Sequence, residues 1–82
     1  MKINVKFNSS ELAEKLRSGI YDISEKSTIA ELIESARLEA EIEISNELKE
    51  SLVFLYENRH ASWDTPLSDG GKLRVLHKVL GG

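Results

Sequence analysis

Hydrophobic and polar residues alternate at both ends of the chain, with helical spacing between them. Ile3, Val5 and Phe7 alternate with Lys2, Asn4 and Lys6, the period-2 pattern of a strand with one buried face. Near the other end, Leu73, Val75, His77 and Val79 alternate with Arg74, Leu76, Lys78 and Leu80. This predicts a second two-faced strand that runs directly into Gly81-Gly82. Leu52-Val53-Phe54-Leu55-Tyr56 is β-prone throughout, as expected of a strand inside a sheet. Glu57-Asn58-Arg59 predicts a turn after it, and His60 to Trp63 a short edge strand.

The longest helical stripe is Ile29, Leu32, Ile33, Ala36 and Ala40. Thr28 with Glu31 three residues on forms a capping-box signature at its start. Shorter helical turns are predicted at Glu11–Arg17, where Leu12 and Leu16 stand at i, i+4 after the capping residues Asn8-Ser9-Ser10, and at Glu47–Glu50 after Ser45-Asn46. Ile20–Ser24 reads as a strand pairing antiparallel with the first. Glu41-Ile42-Glu43-Ile44 alternates but is too short to assign. The segment from Asp64 to Gly71 is dense in turn formers and positions the last strand. One main helix packed across a mixed sheet of four to five strands, with short extra helical turns, is the economical two-layer solution: an α+β fold.

Composition narrows the function. Eighty-two residues make one small domain, a size that leaves little room for a large internal cavity. The chain has no cysteine, which excludes disulfides, thiolate metal sites and a cysteine nucleophile. No apolar run reaches the roughly 20 residues of a membrane span. The start directly in a strand pattern leads us to expect a cytoplasmic protein. The net charge of −3 is unevenly spread. Residues 1–58 hold seven Lys/Arg and twelve Asp/Glu, whereas residues 59–82 hold four Lys/Arg and two Asp. An acidic body with a basic last strand argues against nucleic acid and fits docking onto an acidic protein surface.

Glycines at 81 and 82 carry no Cβ, so this stretch can thread a passage too narrow for side chains. Together with Leu67-Ser68-Asp69-Gly70, the alternating last strand and Val79-x-Gly81-Gly82, the chain resembles the MoaD/ThiS sulfur-carrier proteins of the β-grasp (ubiquitin-like) superfamily. Asn58, Pro66-Leu67, Asp69-Gly70, Val79 and Gly81-Gly82 match in detail, and the layout matches over essentially the whole length. The chain departs from the molybdopterin branch at Gly71, His77-Lys78 and Leu80, so the resemblance leaves the pathway open between molybdopterin-type and thiamin-type cofactor synthesis.

The resemblance implies a β-grasp domain over residues 1–80 and a diglycine tail at 81–82. It implies a carrier rather than an enzyme, binding no cofactor of its own. The Gly82 carboxylate would be adenylated by an ATP-dependent activating enzyme and converted to a thiocarboxylate. Gly81 would keep the tail thin enough to thread. The partners expected are that activating enzyme and a sulfur-accepting synthase subunit, with the free carrier a monomer. The same tail chemistry also fits a ubiquitin-like protein modifier conjugated through Gly82, or a plain interaction module. From strand alternation, Leu73 and Val75 face the main helix. Leu76, Arg74 and Lys78, with Leu80 at the root of the tail, are then the candidate docking surface. His60 and His77 have no second ligand at metal-binding spacing, and His77 is expected to be half-buried. Gly70-Gly71 is expected to be a turn rather than a phosphate loop, because no strand–glycine–helix unit surrounds it.

Overall fold

The alternating segments pair into one five-stranded sheet. A computed structural model of the chain describes residues 1–78. Its strands are β1 (Lys2–Phe7), β2 (Gly19–Asp22), β3 (Leu52–Tyr56), β4 (Arg59–Ala61) and β5 (Lys72–His77). Between them lie α1 (Ser10–Lys15), α2 (Ile29–Ala40) and α3 (Asn46–Glu50). The order across the sheet is β2-β1-β5-β3-β4. β1 and β5 pair in parallel, and the other three pairings are antiparallel. The last strand is therefore central, paired on both edges.

One face of the sheet supplies the core. Ile3, Val5 and Phe7 of β1, Leu73 and Val75 of β5 and Phe54 of β3 are all buried against Ile29, Leu32, Ile33 and Ala36 of α2. Phe54 also meets Trp63 edge-to-face at 4.8 Å between ring centroids, a favoured aromatic geometry. α2 starts where the capping box predicts. The Thr28 hydroxyl accepts from the Glu31 N–H, and the Glu31 carboxylate accepts from the Thr28 N–H at 3.2 Å. α1 is capped by Ser9 and buries Leu12, and Leu16 just beyond it joins the same core.

β2 ends at Asp22, opposite the first residue of β1, rather than at Ser24; three further segments fall short of the sequence pattern, each for a local reason. α1 stops at Lys15 because Leu16 turns to extended backbone. β4 stops at Ala61 because a Ser62–Thr65 turn leads the chain out of the sheet. There the Ser62 N–H donates to the Thr65 hydroxyl at 2.9 Å, and the Thr65 N–H donates back to the Ser62 carbonyl. Glu41–Ile44 forms no strand. Glu41 ends α2 in the left-handed conformation, and Arg37 folds onto this segment, its guanidinium donating to the Ile42 carbonyl at 3.0 Å. The backbone groups that a ladder would use are thus engaged, while Ile44 still reaches the core.

Two arginines on the helix side are matched to acids. Arg17 donates through Nε and Nη2 to Glu39 at 2.9 and 3.1 Å, and Arg37 does the same with Glu34 at 3.1 and 2.6 Å. These charge-assisted pairs hold the Glu39 and Glu34 carboxyls below the usual carboxylate range.

Candidate tail-presenting and docking surface

The segment before β5 sets where the last strand lies. The Asp69 carboxylate accepts from the Lys2 N–H at 2.7 Å, and the Gly70 N–H donates to the Lys2 carbonyl at 2.7 Å. Gly70 sits at φ +82°, a conformation that glycine adopts without Cβ strain. Gly71 packs against the Tyr56 ring, so closely that a Cβ there would lie 2.7 Å from the ring Cε1. Tyr56 in turn anchors the turn, its hydroxyl accepting from the Ser68 N–H at 2.7 Å. Leu67, just upstream, is buried and its N–H donates to the Ser27 carbonyl at 2.9 Å. Asp69, Gly70 and Gly71 thus work as a register clamp for β5 against β1. The expectation of a turn at Gly70-Gly71 is met.

The β3–β4 hairpin contributes a second clamp. Glu57 and Asn58 both have positive φ, the two-residue loop that matches strand twist. The Glu57 N–H donates to the Lys72 carbonyl at 3.0 Å, and the Glu57 carboxylate accepts from the Lys72 N–H at 3.1 Å. At the far end the Lys78 N–H donates to the Ser51 carbonyl at 2.6 Å. β5 is therefore held by β1 through Val75, whose carbonyl accepts from the Asn8 N–H, and on the β3 side up to the last described residue.

The face away from α2 is where the sequence-derived docking residues fall. Arg74 is exposed and Leu76 half-buried on that face. Register sets their neighbours: Arg74 stands between Lys6 of β1 and Leu55 of β3, and Leu76 stands beside Val53. Val53, Leu55 and Leu76 form a half-buried aliphatic strip, and Lys6, Lys72 and Arg74 are exposed next to it. Lys78 is placed differently. It borders a groove with Glu47, Glu50 and Ser51, at the start and end of α3. Leu80, Gly81 and Gly82 lie outside the described residues.

His77 is half-buried on the helix side of β5, its Nδ1 4.0 Å from a Glu11 carboxylate oxygen. His60 is exposed on β4 opposite Leu55. Among the described residues, no group of three or more His, Asp or Glu is arranged to hold a metal ion. Val53, Leu55, Lys6 and Lys72 were not among the residues that spacing alone singled out. The signal for them is the outward parity of β1 and β3, which becomes specific only once both strands are known to flank β5.

Comparison with known proteins agrees with this architecture. The chain matches the ThiS family over residues 5–82. No curated protein sequence matches it. Among solved structures it is similar to a Pyrococcus furiosus protein described as molybdopterin converting factor, subunit 1, at 21% identity and a TM-score of 0.74, covering 96% of this chain and 99% of that one. It is also similar to SAMP1 of Haloferax volcanii at 18% identity and a TM-score of 0.71, with both chains covered completely. A chain of the complex of subunits 1 and 2 of molybdopterin-converting factor from Helicobacter pylori aligns at 20% identity with a TM-score of 0.52, again over both full lengths. These likenesses carry the fold, and the family match carries the kinship. The chain belongs to the ThiS family and has the β-grasp, ubiquitin-like fold.

Proposed function

We propose that this protein is a sulfur carrier whose reactive group is the carboxylate of Gly82. The observation that carries the reading is the family match, which runs through Gly81-Gly82 to residue 82. A central, doubly clamped β5 that leads into those glycines supports it.

An ionised α-carboxylate is a poor electrophile at neutral pH. Its oxygen attacks the α-phosphate of ATP held by an activating enzyme, releasing pyrophosphate and giving an acyl-adenylate. The terminal sulfur of a partner's persulfide then attacks the Gly82 carbonyl carbon, and AMP leaves. A partner thiol attacks the inner persulfide sulfur, forming a disulfide on the partner and freeing Gly82 as a thiocarboxylate. The chain contains no cysteine, so the sulfur it carries rides on the backbone terminus. Gly81 keeps the approach thin, while Leu76 and Arg74 on the open face, with Lys78 and Leu80 near the tail root, dock the activating enzyme and the sulfur-accepting subunit. The likeness to a subunit of the molybdopterin-converting factor complex supports a large-subunit partner of that kind.

The likeness to SAMP1, a small archaeal modifier protein, favours a second reading. A lysine amine in place of the persulfide would give an isopeptide-linked conjugate. The test is ATP–pyrophosphate exchange with the host's activating enzyme, comparing the full chain with one lacking Gly81-Gly82. Exchange that needs the diglycine is expected, and the intact mass of the carrier from its own cell should rise by the difference between sulfur and oxygen. Exchange that survives the deletion would remove the tail chemistry, and conjugate ladders without the mass shift would favour the modifier.

A further inference from the structure

The open face carries an arrangement that folding alone disfavours. Lys6 and Arg74 are register partners on adjacent strands, which stand about 4.8 Å apart. Like charges placed opposite each other across a strand pair are destabilising. Lys72 adds a third cation, itself the register partner of Asn4. These residues line a cleft of about 250 Å³ with Asn58 and Glu57. The one carboxylate there, Glu57, accepts the Lys72 backbone N–H. Among the described residues, no carboxylate oxygen lies within 4.0 Å of the charged nitrogens of Lys6, Lys72 or Arg74; Lys2, Lys26, Lys49 and Arg59 share that, so what sets the three apart is that they stand together in one cleft. A molecule with a net charge of −3 thus concentrates three cations against one carboxylate in a single cleft.

We propose that this cleft docks an acidic segment of a protein partner. Its carboxylates seat on Lys6, Arg74 and Lys72, and an aliphatic side chain lies along Val53, Leu55 and Leu76. The inference deepens the reading of this face as the partner surface and rests on it. Two observations choose the occupant. Arg74 is the register partner of both Lys6 and Leu55, so the charged and apolar halves are contiguous, as a peptide with both residue types requires. A nucleic acid, by contrast, needs an extended positive field, and the acidic remainder of this chain opposes it. Asn4 and Asn58 supply uncharged amide donors for the carboxylates or backbone of the segment. Association of this kind is steered by charge and weakens with salt.

The test is an amide-shift NMR titration of the full chain with two synthetic peptides of equal length, one alternating Glu with Leu and one alternating Lys with Leu. The Glu peptide should shift the amides of Lys6, Leu55, Lys72, Arg74 and Leu76, and its binding should fall at high salt. A Lys6→Glu/Arg74→Glu variant should bind it at least roughly tenfold more weakly. If that variant does not fold, Lys6→Gln/Arg74→Gln gives the same readout. Equal binding of the Lys peptide, or shifts centred elsewhere, would overturn the proposal. So would inorganic phosphate reproducing the shifts, which points to a small-anion site, or a mixed-sequence oligonucleotide binding more tightly than the Glu peptide. The chain lacking Gly81-Gly82 should bind the Glu peptide as the full chain does. Peptide binding without diglycine-dependent pyrophosphate exchange would sink the tail chemistry alone. Such exchange without peptide binding would sink this docking site alone.

Discussion

Along β1, β5 and β3, the same backbone serves two surfaces with opposite physical logic. Toward α2, every second residue is buried: Ile3, Val5, Phe7, Leu73, Val75 and Phe54. Toward solvent, the intervening residues are Lys2, Asn4, Lys6, Lys72, Arg74 and a half-buried aliphatic strip. The inner face gains stability from close packing and area removed from water. The outer face instead sets two cations, Lys6 and Arg74, side by side as register partners. A domain of this size is stable by only about 4–12 kcal/mol at the usual per-residue value, so any repulsion between them must be small. The difference teaches that the proposed docking residues sit where their removal should hardly touch folding.

The sharpest way to break that comparison is to cut adjacent residues of β3 that point opposite ways. Phe54→Ala should cost about 3–5 kcal/mol, the usual penalty for emptying an aromatic core site, because Phe54 is buried and packed on Trp63. Leu55→Ala, one residue on and half-buried, should cost about 1 kcal/mol or less by its smaller loss of burial. Urea unfolding of both variants checks this. Similar costs would mean that the outer strip is part of the core.

A smaller effect tests the clamp that sets the register of the two faces. Gly71→Ala puts a methyl group against the Tyr56 ring and should destabilise by about 1–3 kcal/mol, as overpacking does. The loss should shrink by at least half in a Tyr56→Leu background, where the clashing ring is absent. A double-mutant cycle reads that coupling directly. An undiminished penalty would mean that a contact other than the Tyr56 ring resists the methyl group.

How far the sequence foretold this follows from the same geometry. Period-2 alternation told which residues of β1 and β5 share a face, and the Thr28–Glu31 pair told where α2 begins. Both signals are local, and both hold in the structure. The open face was half legible: the outward placement of Arg74 and Leu76 emerged from β5 alone. Lys6 did not, because its nearness to Arg74 is created by a pairing between the first and last strands that no local pattern encodes. Likewise Glu41–Ile44 alternates like a strand, but Arg37 claims its backbone, a contact invisible to periodicity. The alternation of β5 set Lys78 with Arg74 and Leu76, yet one residue past the strand it borders a groove beside α3.

The finest test sets stability against recognition at a single atom group. Lys6→Gln keeps the length and polarity of the side chain but removes one of two opposed cations. If Lys6 and Arg74 repel as their register implies, the variant should be more stable than the parent by about 0.2–0.5 kcal/mol at low salt. The gain should fade near 1 M salt, where screening reaches about 3 Å. The same variant should bind the acidic peptide more weakly, so the two measurements move in opposite directions. A hydrophobic-face substitution cannot do this, since emptying the core lowers stability whatever happens to binding. Loss of stability on Lys6→Gln would show instead that Lys6 is held by favourable contacts, and the outer face would then need no partner to explain its charge.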